Sequence, residues 1–149
     1  MTRVQHTIDV GVPVHTAYNQ WTQFEEFPRF MDNVKSVKQL DDRRLHWVAE
    51  VGGKREEWDA EITDQVPDRR VAWRSTSGVR NDGIVTFEPE GPEKTKVTVA
   101  IEAEPTSTVE KAGSAAGVLD RQVEGDLERF KTFIESRGVE TGAWRGEIH

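Results

Sequence analysis

The longest hydrophobic pattern in the chain runs from residue 107 to residue 137. Apolar side chains recur there every three or four residues, which is typical of a helix with one buried face. Ser107 and Glu110 fit a capping box at the start, and Gly138 suits the position just after the end. Such a helix is about 45 Å long and needs a surface to lie against. Its apolar positions are Val109, Ala112, Ala116, Leu119, Val123, Leu127, Phe130 and Ile134.

The first half of this predicted helix has only small residues on its apolar face, whereas the second half has large ones. Two of the small residues are glycines, each of which costs about 1 kcal/mol relative to alanine inside a helix. Two interpretations stay open. The small residues either allow close backbone packing or a bend, or they leave free volume and form the roof of a cavity. They are Ala112, Gly113, Ala115, Ala116 and Gly117.

The N-terminal part of the chain predicts one strand and two short helices. Residues 3–10 alternate between apolar and polar side chains, as a half-buried strand does. Pro13 suits the first residue of a helix, because its φ is already helical and its missing N–H is not needed there. A cluster of aromatic residues around Pro28 predicts a second helical turn. The first helix buries Val14, Ala17, Tyr18 and Trp21, and the cluster contains Phe24, Phe27 and Phe30.

From residue 34 onward the hydrophobic pattern has a period of two. Turn signals such as Gly52-Gly53 and Pro67-Asp68 separate the alternating stretches. The result is an antiparallel meander with one apolar and one charged face, which the C-terminal helix would cover. The predicted fold class is therefore α+β. The six strands of the meander are centred on residues 34–40, 45–51, 57–62, 71–76, 83–88 and 97–101.

Three tryptophans, Trp47, Trp58 and Trp73, share the inward face of adjacent predicted strands. They either fill a core, with each indole N–H bonded to a carbonyl group, or form the wall of an aromatic pocket. Small neighbours such as Ala49, Ala60 and Ser75 favour the pocket. The predicted ligand-binding residues are Trp47, Trp58, Trp73, Phe87, Val99, Phe27, Phe30, Ala116, Leu119 and Val123.

Charge and composition limit the classes of function. The chain of 149 residues has a net charge of −7, which argues against binding to a nucleic-acid backbone. It contains no cysteine, no apolar run that could span a membrane and no signal-peptide pattern, so we expect a soluble, cytoplasmic protein. We predict one domain over residues 1–138. Residues 139–149 are polar and glycine-rich, so we predict a flexible tail there, in which Trp144 could bind to the surface of the domain.

Few residues are candidates for chemistry. The alternation places no charged residue of the meander on the inward face, so the candidate catalytic residues are His6, Tyr18 and Ser75. The histidines show no metal-ligand spacing, and no phosphate-binding loop or activated serine motif is present. We therefore expect no metal and no cofactor. The four histidines are His6, His15, His46 and His149.

The order strand, two short helices, meander and long helix resembles the helix-grip fold of the START-like (SRPBCC) superfamily. Within it, the stretches QWTQFEEFPRFMDNVKSVKQLDDRRLHWVAEVGG and EWDAEITDQVPDRRVAWRSTSG resemble the bacterial polyketide cyclase/dehydrase family, to which coenzyme-Q-binding START proteins also belong. The resemblance covers residues 3–137. It implies a curved antiparallel sheet of about seven strands around a long C-terminal helix, with a cavity between sheet and helix.

The resemblance and the residues together give three hypotheses. The first is binding of a hydrophobic small molecule, which would be a lipid, an isoprenoid quinone or an aromatic polyketide, in that cavity. The second is a polyketide cyclase or dehydratase of the aromatase type, in which His6, Tyr18 or Ser75 guides the substrate. The third is a protein-interaction domain whose core is filled.

Overall fold

The computed structural model describes residues 2–51, 53–78, 80–103 and 115–149. Within these ranges, seven strands, two α-helices and one 3-10 helix follow each other in the predicted order. They are β1 (Thr2–Val10), α1 (Val14–Trp21), the 3-10 helix (Phe24–Arg29), β2 (Val34–Gln39), β3 (Arg44–Val51), β4 (Lys54–Val66), β5 (Arg70–Gly78), β6 (Asn81–Gly91), β7 (Lys94–Ala103) and α2 (Ala115–Arg137).

All seven strands form one antiparallel sheet in the order β1-β7-β6-β5-β4-β3-β2. The meander accounts for six of them, and β1 pairs with β7 at one edge. The segment with α1 and the 3-10 helix connects β1 to β2, which is the opposite edge of the sheet. The helix α2 packs against β1 and buries its apolar stripe in the core. The buried side chains of that stripe are Val123, Leu127, Phe130 and Ile134.

The structure describes the end of the predicted C-terminal helix but not its predicted start. Gly138 has φ +71° and donates its N–H to the carbonyl of Ile134 at 2.9 Å, so it ends the helix as predicted. The helix is continuous through Gly117. The predicted capping box and Gly113 lie outside the described residues.

The start of α1 differs from the prediction by one residue. Pro13 is the residue before the helix rather than its first residue, because its ψ of 154° is extended. Its carbonyl group accepts hydrogen bonds from the N–H groups of Thr16 and Ala17.

Strand β4 is longer than predicted, and this corrects the assignment of inward residues. Its first residues place Glu56 opposite Ala49, on the same face as Trp58, so a charged residue of the meander does fall on the inward face. A bulge at Thr63 shifts the register further along. After it Gln65 faces inward and is fully buried.

The C-terminal segment, residues 139–149, lies against the domain. Trp144 packs partly buried against the core and donates its backbone N–H to the Thr22 hydroxyl at 3.0 Å. Ile148 is buried and exchanges backbone hydrogen bonds of 2.7 and 2.9 Å with Gln65. The polar composition predicted a flexible tail. In the structure the segment contacts the domain because polar side chains at α1 are buried and the segment supplies their hydrogen-bond partners. These buried side chains are Asn19, Gln20 and Thr22.

Candidate functional site

The inward face of β3 and β4 carries a pair of stacked indole rings. Trp47 and Trp58 are direct neighbours in the register, and their ring centroids lie 5.7 Å apart with an interplanar angle of 10°. Phe27 of the 3-10 helix adds a third ring, 5.6 Å from that of Trp47. Phe30 continues the row, 5.7 Å from Phe27 and 5.2 Å from Phe130 of α2. We call Trp47, Trp58, Phe27 and Phe30 the aromatic wall.

Within the described part of the chain, the nitrogen atoms of the two stacked indoles have no hydrogen-bond partner. Trp47 and Trp58 are 6% and 8% exposed, and the Nε1 atom of each is buried with no acceptor among the described residues. The core-filling interpretation expects each N–H to reach a carbonyl group, and here these two do not. Buried polar groups are normally paired, since an unpaired one costs about 1–3 kcal/mol. The pair therefore offers two donors beside an apolar surface.

Trp73 has a different environment from the stacked pair. It lies opposite Ile62 on β4 and opposite Gly83 on β6, and its ring covers that glycine. Its Nε1 atom donates to Asn81 Oδ1 at 3.1 Å, and the side chain is partly buried. Trp73 is therefore on the predicted face, but its N–H group is already satisfied.

The remaining predicted ligand-binding residues are distributed along the sheet and helix. Phe87 contacts the ring of Tyr18 edge-on at 5.4 Å. Val99 is opposite His6 in the β1–β7 register. Val123 is buried and Leu119 is partly buried against the core. The side chain of Ala116 lies outside the described residues, although its backbone belongs to α2.

The three candidate catalytic residues occupy separate places. The Ser75 hydroxyl is bonded to Asp82 at 3.4 Å and to the N–H of Asn81 at 3.2 Å, where it helps to close the β5–β6 hairpin. The Tyr18 hydroxyl is fully buried, and burial raises its pKa against the smaller lowering effect of the nearby Gln65 amide. Neither the hydroxyl nor the Gln65 amide nitrogen makes a hydrogen bond of normal geometry within the described residues.

His6 is the third candidate, and the helix supplies it with acidic neighbours. Its Nε2 atom donates to Asp120 Oδ1 at 2.7 Å, and its Nδ1 atom lies 3.9 Å from Glu124 Oε2. Neither acid was selected in the sequence analysis. The sequence does contain a signal for this contact with His6. The two acids are four residues apart, and each follows a residue that faces the core, Leu119 or Val123.

A buried acid that the sequence analysis did not select lies further along α2. The Asp126 side chain is 16% exposed and accepts a 2.5 Å hydrogen bond from Arg129. Burial raises the pKa of its carboxyl from 3.8 to about 6, although Arg129 lowers it and Asp32 adds to the rise. Arg129 also donates to the Phe30 carbonyl at 3.0 Å and so ties α2 to the aromatic wall.

A separate cleft of about 570 Å³ opens on the outer side of β6 and β7. Its lining combines apolar and polar side chains, and two acidic and two basic side chains are among them. Of the predicted ligand-binding residues, Phe87 alone is among the residues that line it. The cleft therefore does not fit the predicted apolar ligand. Its lining residues are Val14, Pro67, Asp68, Arg69, Thr86, Phe87, Glu88, Pro89, Lys96 and Thr98.

Comparison with known proteins identifies relatives along nearly the whole chain. A protein of Streptomyces lincolnensis, described as an uncharacterized 17.2 kDa protein in the melC2-rnhH intergenic region, is 52% identical over 149 residues, which is 99% of both chains. No helix of the described ranges is long and apolar enough to cross a membrane.

Two solved structures share the fold. The Zhui aromatase/cyclase from Streptomyces sp. R1128 has a TM-score of 0.76 at 15% identity, over 95% of this chain and 98% of that one. A START superfamily protein from Mycobacterium smegmatis has a TM-score of 0.72 at 16% identity, over 92% and 97%. These likenesses confirm the predicted helix-grip fold of START-like proteins. The family model for polyketide cyclase/dehydrase and lipid transport matches residues 10–132, and the chain belongs to that family.

Proposed function

We propose that this protein binds a flat, oxygen-bearing hydrophobic molecule between the aromatic wall and α2. An isoprenoid quinone or an aromatic polyketide has the required chemistry. The observation that carries the proposal is the stacked pair Trp47 and Trp58, whose two N–H groups are buried without acceptors among the described residues. A ligand carbonyl oxygen would satisfy them.

An indole at these positions differs energetically from a ring that only fills space. A phenyl ring at either position would bury apolar surface without leaving a donor unpaired. Each unpaired N–H costs about 1–3 kcal/mol in the free protein, and this cost disappears when a ligand supplies an acceptor. The same two groups would then strengthen binding of the oxygen-bearing ligand relative to a plain hydrocarbon.

The chemistry of the site also favours one ligand class over another. A fatty acyl chain has no acceptor along its length, so it would leave both donors unpaired. Quinones and polyketides carry carbonyl groups on or beside flat rings, which can stack on aromatic side chains while their oxygens accept hydrogen bonds. Among the three candidates, an aromatic molecule with carbonyl oxygens therefore fits the wall better than an aliphatic lipid.

Binding is the function we propose rather than turnover. Ser75 is engaged in a hairpin, His6 is on edge strand β1 and Tyr18 is on α1, so the three candidate guides belong to different parts of the fold. We also propose that the partner is a small molecule and not a nucleic acid, because the net charge of the chain is −7. The location we propose is the cytoplasm.

Titration with a soluble naphthoquinone and, separately, with a fatty acid tests this function. Quenching of tryptophan fluorescence would report binding to the wild type, Trp58→Phe and Trp73→Phe. Trp58→Phe removes an unpaired N–H, and Trp73→Phe is the matched control because its N–H is bonded to Asn81. We expect the loss of one hydrogen bond at Trp58, about 1–1.5 kcal/mol, to weaken quinone binding about fivefold to tenfold.

The controls define what would contradict the proposal. Trp73→Phe is expected to weaken quinone binding less than Trp58→Phe does, and fatty-acid binding is expected to be weaker than quinone binding in the wild type. Equal losses in the two variants would show that ring area and not the N–H group matters. If the wild type showed no saturable quenching by any apolar ligand, the interpretation of a filled core and a protein partner would replace the proposal.

A further inference from the structure

Three side chains that can ligate a metal ion meet where α2 crosses the edge strand β1. The residues are His6, Asp120 and Glu124. Each offers one ligand atom, and these three atoms lie within 4.8 Å of one another. The His6 Nε2 to Asp120 Oδ1 distance is 2.7 Å, and the His6 Nδ1 to Glu124 Oε2 distance is 3.9 Å. Within the described ranges of the chain, these residues form the one such group.

The fold brings these residues together from distant positions in the sequence. Alternation along β1 directs His6 towards the helix, since it shares a face with Val4 and Val10, which are buried. Asp120 and Glu124 are four residues apart on α2 and therefore lie on the same side of the helix. One strand and one helix thus present an imidazole and two carboxylates to the same point.

We propose that His6, Asp120 and Glu124 bind a divalent first-row transition-metal ion such as Zn²⁺. One imidazole nitrogen with two carboxylate oxygens is a donor set that Zn²⁺ accepts at about 2.0–2.2 Å, and ions that prefer oxygen donors alone, such as Mg²⁺ and Ca²⁺, fit it less well. The two carboxylates would balance the charge of the ion. Three protein ligands leave a further coordination position for solvent.

The exposure of the three side chains allows the donors to close around an ion. The side chains of Asp120 and Glu124 are 49% and 58% exposed, and that of His6 is 21% exposed. Rotation of an exposed carboxylate about its own bonds requires no repacking of the core. His6 is the fixed member of the group, because it lies on a strand that is paired along its whole length with β7.

His46 shows that a histidine between two carboxylates is not sufficient for such a group. Its Nδ1 atom is 2.7 Å from Asp59 and its Nε2 atom is 3.0 Å from Glu57, as close as the acids of the His6 group are to the His6 ring. Both acids are on the outer face of β4, and no choice of donor atoms brings all three of these residues within 4.8 Å of one another. His46 is therefore a matched control with the same residue types.

Metal titration of the full chain tests the site. After treatment with a chelator and its removal, Zn²⁺ is titrated calorimetrically into the wild type, His6→Asn, Glu124→Gln and His46→Asn, and the absorption of bound Co²⁺ is recorded for each. We expect one strong site in the wild type and in His46→Asn. Affinity should fall about tenfold or more in His6→Asn and Glu124→Gln, with loss of the cobalt absorption bands.

Two results would overturn the proposal. One is the absence of saturable Zn²⁺ binding by the wild type at millimolar concentration. The other is an equal loss of affinity in His46→Asn and His6→Asn, which would indicate diffuse binding to the acidic surface. If His6→Asn does not fold, as judged by circular dichroism, Glu124→Gln decides alone, because its exposed side chain is not part of the core.

Discussion

Replacement of Asp126 by asparagine should change how the stability of the protein depends on pH. The Asp126 side chain on α2 is 16% exposed, and the backbone of Asp32, in the loop after the 3-10 helix, donates a hydrogen bond to it. Burial is the main reason that its pKa is raised from 3.8 to about 6. Asparagine has nearly the same shape and stays neutral, and its side-chain oxygen can still accept the hydrogen bond from Arg129.

The sign of the effect follows from proton binding. A carboxyl group whose pKa is higher in the folded state binds its proton more tightly there than in the unfolded chain. The contribution of Asp126 to the free energy of unfolding is therefore largest below the unfolded pKa of 3.8 and falls as the pH rises through the folded pKa of about 6. At about 1.4 kcal/mol per pKa unit, the whole change for Asp126 is about 3 kcal/mol.

Urea unfolding followed by circular dichroism, between about pH 4 and pH 7, measures this change. The free energy of unfolding of Asp126→Asn minus that of the wild type should rise by up to about 3 kcal/mol over this range, because other groups cancel in the difference. Asp32→Asn is the matched control. It removes another carboxylate from Arg129, at a position that is 70% exposed, and should change stability by less than about 1 kcal/mol. A difference for Asp126→Asn that stays flat or falls with rising pH would show that burial does not raise the pKa of Asp126.

Further predictions concern a glycine, the C-terminal segment and a surface histidine. Gly83→Ala should destabilise the protein by about 1–3 kcal/mol in thermal unfolding, since the new Cβ would lie 2.4 Å from the indole that covers this glycine, whereas Gly91→Ala meets no atom within 4 Å and should be nearly neutral. Ile148→Ala should cost about 2–5 kcal/mol and the exposed control Val139→Ala very little; equal effects would mean that the segment does not pack as described. The pKa of His46 is raised above 6.5 by its two carboxylate partners, so its stabilising contribution is complete below the unfolded pKa and is lost as the pH rises through the folded one. An NMR titration of His46 with a midpoint at or below 6.5 would contradict this.

Alternation and helical spacing were sufficient to predict the order of elements and the face on which the tryptophans lie. Local patterns carry this information because side chains on a strand repeat every two residues and those on a helix every three or four. The predicted strand ends at Ile62, and alternation extended beyond it would place Asp64 inward. One extra residue in β4 at Thr63 reverses the faces there and brings Gln65 inward instead. A bulge depends on pairing with the neighbouring strand, and the sequence of β4 alone does not reveal it.

The candidate site could be predicted only in part, because its decisive features are long-range. The inward position of Trp47 and Trp58 follows from alternation, but whether their N–H groups find acceptors depends on every element around them. His6 and Asp120 are 114 residues apart, so no spacing rule for metal ligands connects them. The raised pKa of Asp126 likewise depends on burial beneath the loop that follows the 3-10 helix.

Native mass spectrometry of the protein purified from its own source would detect a ligand bound at the aromatic wall. We expect a stoichiometric adduct that, after extraction, proves to be an aromatic molecule with carbonyl oxygens. We also expect this adduct to be lost in a Trp47→Phe, Trp58→Phe double variant. A mass equal to that of the bare chain, together with tryptophan fluorescence that does not respond to quinones, lipids or polyaromatic molecules, would contradict the proposed function.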